Sequence, residues 1–259
     1  MAEEIEIMVR AAQRAGRLIR RHFGRHHQAM SKQQSINLVT EVDRHAQKVI
    51  LETLQNAFPE YEHLVEEEAR PPSRNRPYWV IDPLDGTTNF IHGYPMLAIS
   101  IALVKNERIE AGVVYQPLSR ELFMAKRGGG AMLNNRPIRV SSTSRLSESL
   151  LASGFPYDAW ENPENNTYQW AEMLRKVVSL RSDGSAALDL CFVACGRLDG
   201  YWELDLDPWD TAAGSLIVAE AGGMVTDLEG NPFHLSKRSI VAANPAIHGA
   251  MLKVLTRKK

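Results

Sequence analysis

Apolar residues recur every three or four positions through the first twenty residues. Ile5, Met8, Val9, Ala12, Ala15 and Ile19 fall on one side and arginines on the other, the spacing of an amphipathic helix. A second helical pattern runs through Val42, Ala46, Val49, Ile50, Leu54 and Phe58 behind Thr40, a residue type whose hydroxyl caps helix N-termini. Residues 28–39, between the two, are polar without a firm period and predict a loop or a mobile hairpin. From Tyr78 the texture changes to short apolar runs at 79–81, 97–104, 111–115 and 121–125. Turn-forming residues separate them, at Asn106-Glu107, at 116–119, at Gly128-Gly129-Gly130 and at 134–137. This reads as an antiparallel meander. Beyond residue 145 strands at 149–153, 178–181, 199–203, 223–227 and 239–243 alternate with helices at 164–177, 185–195, 209–221 and 246–256. Such alternation predicts a second sheet covered by helices. The chain therefore divides into an N-terminal half, residues 1–145, and a C-terminal half, residues 146–259, with no flexible linker and no internal repeat.

Length and composition fit that picture. The 259 residues suffice for one large domain or two tightly apposed halves, and 44% hydrophobic with 24% charged residues is ordinary for a packed globular chain. A formal net charge of −1 excludes a global basic field for nucleic acid and an acidic solvating tail. Cys191 and Cys195 share a helix face, but no His or Cys nearby in sequence completes a metal set. They read as buried free thiols of a reducing compartment. No 18-residue apolar run occurs and the N-terminus opens on Glu3, Glu4 and Glu6, so a cytoplasmic protein without a membrane partner is expected. One charged feature stands out: Arg10, Arg14, Arg17 and Arg21 form a stripe. It is either a solvated face or a contact for RNA or protein.

The chemistry concentrates at Trp79-Val80-Ile81-Asp82-Pro83-Leu84-Asp85-Gly86-Thr87-Thr88-Asn89-Phe90. An apolar strand runs into two aspartates three apart, and a carboxylate at a buried strand end is costly unless paired or liganded. The Asp-x-x-Asp turn, stiffened by Pro83, can aim both side chains at one point. Oxygen donors without His or Cys select Mg²⁺, Mn²⁺ or Ca²⁺ over zinc. Gly86 and Thr87 stand where a helix could begin and offer N–H groups to a phosphate. A capped turn with no ligand would use the same spacing.

The full string Asp-Pro-Leu-Asp-Gly-Thr-Thr-Asn-Phe resembles the central signature of the inositol monophosphatase family. Val65-Glu66-Glu67-Glu68-Ala69 upstream and Pro208-Trp209-Asp210-Thr211-Ala212-Ala213-Gly214 downstream resemble its flanking motifs, in the same order. The resemblance extends from Lys32 to about Asn244. It implies an α/β (α+β) layered αβαβα sandwich that hydrolyses a small polyol or sugar phosphate with two to three Mg²⁺ per site. Mn²⁺ would substitute and Li⁺ would inhibit. Glu67, Asp82, the Leu84 carbonyl, Asp85 and Asp210 would hold metal, and Thr87 with Glu67 would activate water. The acidic motif departs from the usual Glu-Glu-Ser by having three glutamates before alanine, so Glu66 and Glu68 are the one-residue alternatives to Glu67. Substrate contacts would come from Asp85, Gly86, Thr87, Gly184, Ser185, Ala186, Glu203 and Asp210. Inositol 1-phosphate is the expected substrate, with fructose 1,6-bisphosphate or another sugar phosphate as alternative and a homodimer as the usual assembly. Some bacterial relatives are associated with ribosomal RNA transcription, which gives the arginine stripe its second reading. Lys32 matches a lysine of the metal-loop region, and Asp43 either caps its helix or supports the metal cluster.

Overall fold

The computed structural model describes residues 2–25, 30–31, 38–68, 71–73, 76–163 and 165–256. Lys32 and Ala69, both singled out by sequence, lie outside them. Helix α1 (Ala2–His22) is followed by strands β1 (Met30–Ser31) and β2 (Leu38–Val39), which pair antiparallel, and by helix α2 (Glu41–Ala57). A seven-stranded sheet comes next: β3 (Glu62–Val65), β4 (Tyr78–Asp85), β5 (Ala98–Lys105), β6 (Arg108–Gln116), β7 (Glu121–Lys126), β8 (Ala131–Leu133) and β9 (Arg136–Pro137), with the short helix α3 (Thr87–His92) between β4 and β5. These strands lie in chain order, β3 and β4 parallel and the rest antiparallel.

The C-terminal half holds β10 (Leu150–Ser153), α4 (Thr167–Leu174), β11 (Ser179–Arg181), α5 (Ala186–Ala194), β12 (Gly200–Leu204), α6 (Pro208–Glu220), β13 (Met224–Thr226), β14 (Ser239–Ala243) and α7 (Pro245–Leu255). Its strands form a mixed sheet in the order β11-β10-β12-β14-β13. The predicted helix at 164–177 is shorter than expected, ending at Leu174, because Lys176 and Val178 already turn into β11. Short strands β3, β8 and β9 were not foreseen, since two to four residues carry too little period to stand out.

Side-chain alternation explains the layers. In β5 and the residue before it, Leu97, Ile99, Ile101 and Leu103 enter one core with α1 and α2, whereas Ala98, Ala102 and Val104 enter another with α5 and α6. Both faces of the sheet are thus covered, which is why its strands read as nearly continuous apolar runs. Helices α5 and α6 also pack on β12, β13 and β14, and α4 and α7 close the outer face of the second sheet. The order α1/α2, sheet, α5/α6, sheet, α4/α7 is the αβαβα sandwich. The soft boundary near residue 145 falls between β9 and β10, yet the middle core draws Val80 and Ala102 from one side and Leu190, Tyr201 and Ile240 from the other. No helix among the described residues is long and apolar enough to cross a membrane.

Candidate active site

Strand β4 delivers the aspartates. Asp82 is paired with Ser100 of β5, then a bulge interrupts the ladder before Asp85 pairs with Ala98. Pro83, which has no N–H to give, occupies the bulge, and Asp82 Oδ1 accepts the Leu84 N–H at 2.9 Å. Both carboxylates are buried. Asp85 Oδ2 accepts from Ser185 Oγ at 2.6 Å and the Ala187 N–H at 2.8 Å, so it grips the N-terminus of α5, a hundred residues on. Asp210 sits in the first turn of α6, where its Oδ2 accepts the Asp207 N–H at 2.7 Å in a capping box. Ser100 Oγ donates to the Trp209 carbonyl at 3.2 Å and ties that turn to the residue facing Asp82.

Each of these aspartates commits one oxygen to a protein donor, and their remaining neighbours are negative. Burial first, then Glu66, Asp85 and Asp210, push the Asp82 carboxyl well above the usual carboxylate range, against the Leu84 N–H. Burial, Asp85 and Glu66 do the same to Asp210. Burial raises Asp85 to about 6 although Ser185 and the α5 amides oppose it. Among the described residues no three His, Cys, Asp or Glu side chains are already gathered into a metal cage; one oxygen each of Asp82, Asp85 and Asp210 is engaged by a protein donor.

Glu67 is the metal ligand expected from sequence, with Glu66 and Glu68 as its one-residue alternatives, and the strand register bears on Glu66. Strands β3 and β4 run parallel with Val65 beside Ile81, and the Glu66 N–H donates to the Ile81 carbonyl at 3.2 Å. One further step of that register brings Glu66 alongside Asp82, consistent with its charge acting on both Asp82 and Asp210. Glu67 instead lines an outer cavity of about 590 Å³ against α2, with Arg44, Gln47, Lys48 and Glu68.

Gly86 adopts φ 96° between Asp85 and α3. A Cβ there would lie 2.8 Å from the Met96 carbonyl oxygen, so only glycine fits both the left-handed backbone and the space. Thr87 Oγ1 is 2.7 Å from Asp43 Oδ1 and 3.1 Å from the Leu84 carbonyl. Asp43 is itself fixed by the Thr40 N–H at 2.8 Å and the Thr40 hydroxyl. It both caps α2 and holds Thr87.

Glu203 on β12 takes a hydrogen bond from the Tyr201 hydroxyl and one from the Gly154 amide. Burial nevertheless raises its carboxyl to about 8, with Tyr201 and Gly154 opposing and Asp85 adding. Gly184, at φ 73°, is clamped by Asn89, whose Nδ2 lies 2.7 Å from the Asp183 carbonyl and 2.6 Å from the Met96 carbonyl. Asn89 stood in the signature but received no role, because a loop 94 residues away is invisible to spacing. Half-exposed Tyr157, whose phenol feels Glu66, Asp210, Asp85 and Asp82, carried no signal at all.

The model of the inositol monophosphatase family matches residues 1–259. An inositol-1-monophosphatase of Synechocystis sp. is 44% identical over 97% of this chain and 88% of its own length. The Nus factor SuhB of Escherichia coli is 42% identical over 96% of this chain and 94% of its own. The solved inositol monophosphatase of Anabaena superposes with a TM-score of 0.88 at 40% identity, over 96% of this chain and 94% of that one. Carboxylate cluster, glycine turn and sandwich thus stand in a chain that belongs to the inositol monophosphatase family and is a phosphatase.

Proposed function

We propose that the chain hydrolyses inositol 1-phosphate to inositol and phosphate at a Mg²⁺-loaded site between α3, the N-termini of α5 and α6, and β12. The observation that carries this is geometric: the β4 bulge presents Asp82 and Asp85, Asp85 grips the N-terminus of α5, and Ser100 opposite Asp82 is tied to the first turn of α6, which carries Asp210. The set fits a hard divalent ion: every donor is oxygen, and the mutual repulsion of buried carboxylates is relieved by a cation. The family generally uses Mg²⁺, and Glu66, Asp82, Asp85, Asp210 and the Leu84 carbonyl would hold it here, in place of a set containing Glu67. When bound, Mg²⁺ supplies Lewis acidity and neutralises the dianionic phosphate.

The chain's own residues do the positioning. The Thr87 hydroxyl has a single proton, shared between Asp43 and the Leu84 carbonyl, so its lone pairs are left to accept from a water molecule and aim it at phosphorus. Water oxygen bonds to phosphorus, the ester bond to the polyol breaks, and the polyol oxygen takes a proton. Gly86 and Thr87 offer their N–H groups to phosphate oxygens. Glu203, with the Gly184, Ser185 and Ala186 turn, faces the polyol hydroxyls.

The relative named inositol-1-monophosphatase supports the substrate. A hydrolysis panel with Mg²⁺ tests it: inositol 1-phosphate, fructose 1,6-bisphosphate, histidinol phosphate and phosphoadenosine phosphate. Inositol 1-phosphate is expected to give the highest kcat/KM, with Mn²⁺ substituting and Li⁺ inhibiting. Preference for fructose 1,6-bisphosphate would move the assignment to a sugar phosphatase. In the same reading the enzyme is cytoplasmic, in keeping with its free thiols. It pairs as a homodimer for which exposed Leu174 and Val178 beside edge strand β11 offer an apolar face.

A second reading has its own support. Relatives carry the name Nus factor SuhB, and Arg10, Arg14, Arg17 and Arg21 are exposed on α1, with Arg14 also reaching Thr53 at 2.9 Å. RNA binding that weakens with salt and disappears in Arg10→Ala/Arg17→Ala would establish it.

A further inference from the structure

The connection between β10 and α4 returns to its own start. At its end Asn166 is 1% exposed with φ 68°, and its Nδ2 donates to Ser153 Oγ at 2.8 Å and to the Gly154 carbonyl at 2.6 Å, where the connection begins. Its Oδ1 accepts the Trp202 indole N–H at 2.8 Å. Trp202 is the residue before Glu203 and stands beside Ser153 in the β10–β12 ladder. One amide side chain therefore spans from the strand that carries Glu203 to the glycine whose N–H holds the Glu203 carboxylate.

The space at Gly154 is what lets Glu203 sit there. A Cβ there would overlap both Glu203 carboxylate oxygens and their carbon, so the carboxylate rests directly on the backbone. On the other side the Tyr201 hydroxyl bonds Glu203 Oε2. Glu203 is thus held by a phenol and an amide, in a position from which a Cβ at residue 154 would displace it. The connection is stiffened further by Phe155 against Trp170, ring centres 5.3 Å apart, and Trp170 against Trp202 at 6.2 Å. The strap accordingly borders the Glu203 side of the site.

We infer that the two ends of this connection, Gly154 and Asn166, set the specificity of this phosphatase as positioning residues that fix Glu203 for polyol hydroxyls. The inference rests on the polyol reading above. Its physical basis is that a hydrogen-bond acceptor discriminates between substrates only when its oxygen is held in place before the substrate arrives. A loosened Glu203 still accepts hydrogen bonds, but from water.

The test compares inositol 1-phosphate with p-nitrophenyl phosphate, a monoester with no polyol hydroxyls, in the Mg²⁺-loaded full-length protein. Gly154→Ala is expected to raise KM for inositol 1-phosphate roughly ten- to a hundredfold while kcat/KM for the aryl ester stays within about twofold. Asn166→Asp keeps the acceptor for Trp202 and removes both donors, and should shift selectivity the same way by a smaller factor. General damage to the fold would depress both substrates together, so the ratio separates positioning from stability. Wild-type turnover of inositol 1-phosphate with unchanged selectivity in both variants would overturn the strap alone. Wild-type protein that cleaves the aryl ester but no polyol phosphate would overturn the polyol reading and the strap with it.

Discussion

Asp82 and Asp227 are both buried aspartates, 2% and 0% exposed, and their surroundings are opposite. Asp227 accepts from the Asn231 N–H at 2.8 Å, from Asn231 Nδ2 at 3.0 Å and from Lys237 Nζ at 2.9 Å. Burial alone would raise its carboxyl, but Lys237 and Asn231 overcome that and hold it at about 2. Asp82 has one backbone amide and three acidic neighbours, and is pushed the other way. The first site is finished by the protein itself and is structural. The second is a negative pocket that the fold tolerates for chemistry, stability given up locally where function needs the charge.

The same substitution should therefore have opposite consequences at the two positions. Asp82→Asn is expected to lower kcat/KM for any accepted phosphate ester on the order of 10³-fold. It should also raise the Tm measured in metal-free buffer, because one like charge leaves the cluster. A variant that turns over normally would break the comparison at its functional end. Next in size, Glu66→Gln should cost roughly a hundredfold in activity at limiting Mg²⁺, and Glu67→Gln no more than about twofold; equal losses would mean that the β3–β4 register does not select the ligand.

The smallest effect belongs to the structural site. Asp227→Asn should leave kcat unchanged and cost about 1–3 kcal/mol of stability by weakening a satisfied buried carboxylate. The sign with pH follows from the depressed value. The Asp227 contribution is complete above the unfolded carboxylate value of about 4 and is lost as pH falls toward about 2. Acid melts of wild type and Asp227→Asn should converge in that window and diverge above it.

What sequence could and could not reveal divides along similar lines. The strand-end aspartates were legible because Asp82 and Asp85 interrupt an apolar run with residues that burial penalises. Asp210 was legible because it opens a helix in a matching motif. The choice among Glu66, Glu67 and Glu68 was not, since three identical side chains carry no internal signal and what bears on it is the pairing of β3 with β4. Asp43 could be seen as a cap from Thr40-x-x-Asp, but its contact with Thr87 crosses 44 residues. Gly154 and Asn166 had no motif; their meaning appears only when Trp202 and Glu203 come up beside them. The helices and longer strands followed from periodicity, whereas β8 and β9 are held by neighbours more than by their own pattern.

The middle layer has a consequence for how the enzyme can change. Helices α5 and α6 complete the interior of both sheets at once, and their leading ends carry Ser185 and Asp210 to the cluster. Neither half, taken alone, would possess a finished interior or a working pocket. Recombining halves between relatives must therefore preserve the residues on both sides of that layer, and new substrate preferences are more readily acquired by altering the straps at its rim.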